Sequence, residues 1–165
     1  MLQKFFSKKV KSQIEEIYSP LTGEIISLTE VPDPVFAEKM MGDGLAIIPK
    51  EGKVISPIDG EIIQVFPTKH AIGIKSVKGL EILIHVGLET VELKGEGFEA
   101  LVQEGQAVKV GDDLLNFDIE FLENNNKEIV TPIIITNTSE KVGCMEQSSN
   151  LEVNRKELIL KCSLK

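Results

Sequence analysis

The sequence of 165 residues contains no tryptophan, one tyrosine, two cysteines and two histidines. No apolar run approaches the roughly 20 residues of a membrane-spanning helix. No apolar stretch with a small-residue cleavage site follows the basic N-terminus, so we expect no secretory signal peptide. Cys144 and Cys162 lack the spacing of a metal site, and thiols in a cytosolic protein usually stay reduced. We therefore expect a cytoplasmic protein that has no cofactor of its own.

The net charge of −8 argues against nucleic-acid binding, which requires a basic surface. Positive charge is concentrated in the first dozen residues, at Lys4, Lys8, Lys9 and Lys11. Apolar residues recur at helical spacing with these lysines between them, at Leu2, Phe5, Phe6, Val10, Ile14 and Ile17. The pattern predicts a basic amphipathic leader over residues 1–16, either disordered or lying on anionic lipid. Residues 17–165 have a length that suits one domain.

After Tyr18 the sequence consists of short runs rich in Ile, Val, Leu and Thr, separated by Gly, Pro, Asp and Asn. This texture predicts an all-β protein, an antiparallel sandwich or barrel-sandwich with one or two short helices. The predicted strands are Glu24–Leu28, Ala46–Ile48, Glu61–Phe66, Ile72–Ser76, Glu81–Val86, Leu114–Phe117, Ile129–Thr136 and Leu158–Lys161. The predicted helical turns are Phe98–Glu104 and Ile119–Asn126.

One segment is nearly repeated within the chain. The sequence SPLTGEII begins at Ser19, and the similar sequence SPIDGEII begins at Ser56. In each copy proline favours a turn, and glycine permits a positive φ before an apolar strand. Two copies are too few for a solenoid. They predict a sandwich with two pseudo-symmetric halves.

The two histidines, His70 and His85, are the residues best suited to chemistry at neutral pH. His85 ends an apolar, strand-like run and is followed two residues later by Gly87, which leaves space for a partner to approach. His70 precedes the strand that begins near Ile72, and Ser76–Leu80 between the two strands is typical of a hairpin turn. A hairpin would return His85 alongside His70. The spacing permits such a pair but does not require it.

Five segments in order along the chain resemble the glucose-family IIA proteins of the bacterial sugar phosphotransferase system. They are VPDPVFAEKMMGDGLAI (31–47), the segment 68–70, LIHVGLETVELKGEGF (83–98), GQAVKVGDDLL (105–115) and TPIIITN (131–137). The resemblance implies a duplicated hybrid-motif β fold and a phosphotransferase component that carries a phosphoryl group. In this family phospho-HPr is the donor, and a cysteine of the IIB domain of a sugar permease is the acceptor.

The same resemblance assigns roles to three residues. His85 matches the histidine that is phosphorylated, His70 matches its neighbour that stabilises the transferring group, and Thr68 matches the hydroxyl that orients His70. Phosphoryl transfer depends mainly on alignment and electrostatic stabilisation, for which imidazoles are suited. No nucleotide-binding loop of the GxxxxGK[ST] type is present, so ATP is not expected as the donor.

We expect an apolar docking face around the site. Its candidate residues are Phe36, Met40, Met41, Phe66, Leu83 and Val86. Asp33 and Glu89 match acidic positions near the family's active site, where they would repel spent phosphate or meet an arginine of a partner.

The residues present disfavour two alternative functions and leave a third open. A zinc peptidase with a related fold requires more metal ligands than two histidines supply. A lipoyl or biotinyl carrier requires a modified lysine at a hairpin tip, and Lys78 lacks the usual flanking methionines. The third is mainly regulatory: the protein would bind metabolic enzymes or permeases according to its phosphorylation state, and His70 and His85 would share a zinc ion with a partner. The sugar cannot be identified from the sequence.

Overall fold

The computed structural model describes residues 13–165 of the chain. Within them lie fourteen strands: β1 (Ile14–Tyr18), β2 (Gly23–Ser27), β3 (Asp43–Pro49), β4 (Lys53–Ile55), β5 (Gly60–Val65), β6 (Ala71–Ser76), β7 (Glu81–His85), β8 (Phe98–Ala100), β9 (Ala107–Val108), β10 (Asp113–Phe117), β11 (Thr131–Ile135), β12 (Val142–Gln147), β13 (Glu152–Val153) and β14 (Leu158–Leu164). Three short α-helices are α1 (Pro34–Ala37), α2 (Ile119–Asn124) and α3 (Thr138–Lys141), and two 3-10 turns cover Leu28–Glu30 and Thr90–Leu93. The predicted β-sandwich is confirmed.

The strands form three antiparallel sheets. The large sheet has the order β13-β2-β3-β11-β7-β6-β5-β9, and the two small sheets have the orders β1-β14-β12 and β4-β10-β8. Starting from the central β11-β7 pair, the large sheet contains equivalent strands on both sides: β3 and β6, then β2 and β5, then β13 and β9. The small sheets correspond in the same way. The two pseudo-symmetric halves that the sequence predicts are therefore present. An internal two-fold axis between β7 and β11 relates them.

The repeated Ser-Pro turns face each other across this axis. The Tyr18 amide donates to the Pro57 carbonyl and the Ile55 amide to the Pro20 carbonyl, both at 3.0 Å. The side chains of Ser19 and Ser56 make equivalent bonds, each to the carbonyl two residues on. Both serines are fully buried, and these bonds satisfy their hydroxyls. The repeat in the sequence therefore builds the junction between the two halves.

The backbone carbonyl of each buried serine also accepts a hydrogen bond from the amide of a turn residue that has a positive φ. The Gly111 amide donates to the Ser56 carbonyl, and the Lys156 amide donates to the Ser19 carbonyl, both at 3.0 Å. The φ angle is +96° at Gly111 and +76° at Lys156. A side chain in the left-handed region costs roughly 1–2 kcal/mol, and glycine avoids this cost. Lys156 is thus the strained member of an equivalent pair.

Replacing Lys156 with glycine is expected to stabilise the fold by about 0.5–1 kcal/mol, since relief of strain exceeds the added flexibility of the unfolded chain. Lys156 is exposed, so little packing is lost. The unfolding midpoint in urea measures the change, with Lys156→Ala as the control that keeps the Cβ atom. An unchanged or lower midpoint for the glycine variant would show that the backbone is not strained there.

Two parts of the sequence-based assignment are wrong. Phe98–Glu104 was expected to form a helical turn, but Phe98–Ala100 forms β8, because the buried Phe98 ring stacks on Phe117 at 6.4 Å between centroids. The helical spacing of the leader extends through Ile14 to Ile17, but both residues belong to β1, where Ile17 enters the core beside β14. The expected boundary at residue 16 therefore falls inside a strand. The remainder of the expected helix, residues 1–12, lies outside the described residues. The other predicted helix is confirmed as α2.

The core has two parts. The larger lies between the sheets, and the smaller lies on the outer face of the large sheet, beneath the chain from Leu28 to Ala37. That connecting segment brings Leu28, Val31 and Phe36 onto sheet residues that include Leu83 and Ile134. α1 begins within it at Pro34, capped by the Asp33 carboxylate, which accepts the Val35 amide at 3.0 Å. The segment places Phe36 beside the end of β7.

Candidate functional site

The β6-β7 hairpin brings the two histidines together. The turn at Ser76–Leu80 closes through the Ser76 amide and the Leu80 carbonyl at 2.7 Å, and Ala71 lies opposite His85 in the strand register. His70 precedes Ala71, and its carbonyl accepts the Val86 amide at 2.7 Å. The imidazole centroids are 4.8 Å apart, with the rings nearly perpendicular at 81°. The sequence permitted this pair, and the register produces it.

The tautomer of His85 is set by the backbone. Its Nδ1 lies 2.8 Å from the Gly87 carbonyl oxygen, which can only accept a hydrogen bond. Nδ1 must therefore carry the proton, and in the neutral ring Nε2 keeps a free lone pair. A half-buried imidazole with a bare Nε2 is a nucleophile.

His70 is arranged differently, because a hydroxyl meets its Nδ1. The Thr68 Oγ1 atom lies 2.7 Å from this nitrogen, and a hydroxyl can either donate or accept. When Thr68 donates, the proton of the neutral His70 ring resides on Nε2. That nitrogen then becomes a hydrogen-bond donor. The two rings can therefore act as a pair. The bare Nε2 of His85 can attack an electrophile, and the protonated Nε2 of His70 can donate a hydrogen bond to the negative charge that develops.

Both imidazoles are held in the neutral form. Burial, and then the neighbouring His85, lower the pKa of His70 to about 4. Burial also lowers the pKa of His85, although hydrogen bonds with the backbone, chiefly at Gly87, and the Asp33 carboxylate oppose this shift. At neutral pH His85 can therefore attack without first losing a proton.

The depressed pKa of His70 predicts a pH dependence of stability. The unfolded ring, with an ordinary pKa of about 6.5, binds a proton more readily than the folded ring. The free energy of unfolding is therefore not reduced by His70 above about pH 6.5. It falls progressively as the pH drops toward 4, by up to roughly 3 kcal/mol, because the unfolded ring takes up a proton before the folded ring does. Urea unfolding of the wild type and His70→Asn at several pH values measures it. The difference in unfolding free energy between them should shrink with acidification, and a constant difference would contradict the buried neutral ring.

Two phenylalanines complete a row of four rings. Phe36 packs on His85 with 5.1 Å between centroids, and Phe66 meets the edge of His70 at 5.4 Å. Such tilted and edge-on contacts favour a fixed ring orientation. The row therefore restricts the side-chain rotations of both histidines.

The expected docking face is only partly exposed. Met40 and Met41 are exposed and Phe66 is half-buried, but Phe36, Leu83 and Val86 are 4%, 6% and 0% exposed. Phe36 and Leu83 belong to the smaller core beneath the connecting segment, and Val86 belongs to the larger one. The expectation that these three form an apolar surface is wrong. Val35, which the sequence did not single out as a site residue, lies next to Phe36 in α1 and is 39% exposed.

The two acidic candidates occupy different positions. Asp33 is half-buried, caps α1 and lies close enough to influence His85 electrostatically. Glu89 is exposed, with a positive φ of 57°, in the turn that follows Gly87.

Within residues 13–165, no group of three or more His, Cys, Asp and Glu side chains is arranged to hold a metal ion. The same range contains no helix that is long and apolar enough to cross a membrane.

Residues 15–141 match the family model described as phosphoenolpyruvate-dependent sugar phosphotransferase system, EIIA 1. The chain is 61% identical over 138 residues to the PTS system glucose-specific EIIA component of Bacillus cereus, covering 84% of each chain. It is 54% identical over 142 residues to the component of the same name from Staphylococcus epidermidis, covering 85% of each. The solved structure of glucose permease IIA from Mycoplasma capricolum superposes with a TM-score of 0.84 at 40% identity, over 90% of this chain and 95% of that one.

Proposed function

Because the chain belongs to the EIIA 1 family of the phosphoenolpyruvate-dependent sugar phosphotransferase system and is a phosphoryl carrier, we propose that His85 is the residue that carries the phosphoryl group. The observation that supports this most directly is the bond from His85 Nδ1 to the Gly87 carbonyl, which leaves Nε2 free. His70 is proposed as the stabilising group and Thr68 as the residue that orients it.

In the proposed first step, the Nε2 lone pair of His85 attacks the phosphorus of phospho-HPr. A new N–P bond forms as the old one breaks in line with it, and the electron pair of the old bond returns to the donor nitrogen. Charge accumulates on the equatorial oxygens, where the Nε2–H of His70 donates a hydrogen bond. The ring of His85 becomes more positive as the new bond forms, and its Nδ1–H bond to Gly87 strengthens.

The second step reverses these roles. A cysteine thiolate of the IIB partner attacks the phosphorus, and Nε2 of His85 leaves with the electron pair of its bond. Since Nδ1 keeps its proton throughout, the departing imidazole is neutral and needs no added acid. The tautomer set by Gly87 thus serves both transfers.

Family members work with HPr and with a sugar-specific IIB component. We propose that the IIB partner of this chain belongs to a glucose permease, since the relatives from Bacillus cereus and Staphylococcus epidermidis bear that specificity in their names. The proposed contact surface consists of exposed apolar side chains near α1, with acidic side chains beside it. Its members are Val35, Met40, Met41, Asp33 and Glu89.

We propose that zinc binds at His70 and His85 only when a partner protein supplies further ligands. Zinc sites in proteins are usually four-coordinate, and the pair supplies two imidazoles. Within the described part of the chain no third ligand group is assembled around them. The remaining ligands would therefore come from another protein.

Incubation of the protein with phospho-HPr tests the proposal. We expect one phosphate per chain, labile to acid and stable to base, with ³¹P–¹⁵N coupling to Nε2 of His85. Addition of the IIB domain of a glucose permease should then discharge it, whereas a IIB domain of a β-glucoside permease serves as the specificity control. Phosphate on a hydroxyl, recognised by its stability to acid, would contradict the assignment. Equal discharge by both IIB domains would contradict the glucose specificity.

A further inference from the structure

We propose that Thr90 is a positioning residue for phosphoryl transfer, which acts on the tautomer of His85 through the backbone of Gly87. The inference rests on the proposed function of His85. Thr90 is fully buried, so neither a partner protein nor the phosphoryl group can touch it directly. Its hydroxyl donates to the Val86 carbonyl at 2.5 Å.

The peptide that follows Gly87 is the one that determines the His85 tautomer. Its carbonyl oxygen accepts the His85 Nδ1 proton at 2.8 Å. Its amide, that of Leu88, donates to the Glu128 carbonyl at 3.1 Å. Apart from its bond to His85, this peptide plane is therefore held at its amide end by the chain before β11, and it can still pivot about that one bond.

The peptide that precedes Gly87 is held by Thr90. Its carbonyl, that of Val86, accepts the Thr90 hydroxyl. Gly87 joins the two planes with a φ of +72°, in the left-handed region where glycine moves freely between alternatives. Fixing only one plane would leave the other free to rotate. Fixing both planes sets the direction of the Gly87 carbonyl.

Packing at Gly87 supports the same role. A Cβ atom there would lie 2.6 Å from the Thr90 methyl carbon Cγ2 and 2.7 Å from the Glu128 carbonyl oxygen. The Thr90 methyl thus occupies the space that a side chain at Gly87 would need. Thr90 both packs against the flexible residue and anchors the peptide before it, and the two effects can be separated by substitution.

Without the hydroxyl, the Val86 carbonyl loses a buried partner and the Gly87 carbonyl can turn away from His85. A neutral imidazole whose Nδ1 loses its acceptor shifts toward the Nε2–H form, which cannot attack phosphorus. We expect Thr90→Val to lower the rate of phosphoryl acceptance about five- to tenfold, which is typical of one lost neutral hydrogen bond. The KM for phospho-HPr should not change, because Thr90 lies below the surface.

The experiment uses full-length protein with ¹⁵N-labelled histidine. We expect Nε2 of His85 to be mostly unprotonated in the wild type, and the protonated fraction to rise in Thr90→Val. Thr90→Ser restores the hydroxyl and should restore both tautomer and rate. Thr136→Val is the matched control, since Thr136 also donates to a backbone carbonyl, that of Glu81, at the opposite end of β7. If Thr90→Val does not fold, Thr90→Ala removes the hydroxyl without adding a methyl group and replaces it.

An unchanged tautomer in Thr90→Val, with or without a change in rate, would overturn the positioning role and leave phosphate acceptance by His85 intact. A shifted tautomer with an unchanged rate would overturn it too. Absence of phosphate on wild-type His85 would instead overturn the proposed function, while the coupling between Thr90 and the tautomer would still be measurable. Failure of the two proposals is therefore distinguishable.

Discussion

Replacing His85 with glutamine is expected to abolish phosphate acceptance, with a fall of at least about a thousandfold in the rate from phospho-HPr. Glutamine places an amide nitrogen near the position of Nε2, but this nitrogen has no lone pair available to attack phosphorus. The half-buried ring lies beside Phe36 and His70, and an amide of similar length preserves most of that packing. The measurement is the initial rate of acid-labile phosphate incorporation.

The control for His85→Gln is its unfolding midpoint, which shows whether the fold survives the change. A second control is Lys109→Gln, a charge change at an exposed position in the turn after β9, which should accept phosphate at the wild-type rate. Acid-labile phosphate on His85→Gln formed faster than about a thousandth of the wild-type rate would mean that another residue accepts it.

Replacing His70 with alanine is expected to slow phosphoryl transfer about 10²–10³-fold, the usual cost of removing one donor to a developing charge. Acceptance still reaches one phosphate per chain when the incubation is long, because His85 keeps its nucleophile. Steady-state sugar phosphorylation, which depends on the rate of onward transfer, should fall by the full factor. Stoichiometry and turnover measured on one preparation separate the two histidines.

Thr68→Val provides a graded test of the same assignment. It keeps the His70 ring but removes the hydroxyl 2.7 Å from Nδ1, so the ring is free to take the other tautomer. We expect a loss of about tenfold, between wild type and His70→Ala. Normal turnover in His70→Ala would contradict the stabilising role of His70. A larger loss in Thr68→Val than in His70→Ala would contradict the proposal that Thr68 acts by orienting His70.

Much of this arrangement could be predicted from local sequence. The hairpin between β6 and β7 follows from two apolar runs separated by Ser76–Leu80, and the two halves follow from the repeated Ser-Pro turn. The proposed roles of the histidines come from the family resemblance, because spacing alone does not assign them. These features depend on residues that are close in sequence or on motifs that recur as units.

The rest depends on contacts that strand alternation does not reveal. Alternation assigns Leu83 to one face of β7, but only the connecting segment over that face determines that it is covered. The same segment buries Phe36. The direction of the Gly87 carbonyl depends on Thr90 and Glu128, the second of which is distant in sequence. A backbone direction has no residue signature beyond a glycine.

The internal two-fold axis allows the two halves to be compared position by position. Ala71 pairs with His85 in one half, and in the other half Gly44 pairs with Ile134 at the equivalent place. His70 thus corresponds to Asp43. The two halves differ in their connections. A short turn joins β5 to β6, whereas a long segment from Leu28 to Gly42 joins β2 to β3 and covers Ile134. The two halves thus share one strand frame but carry loops of different length. One half presents the proposed phosphoryl site, and the long loop of the other half covers the sheet beside it.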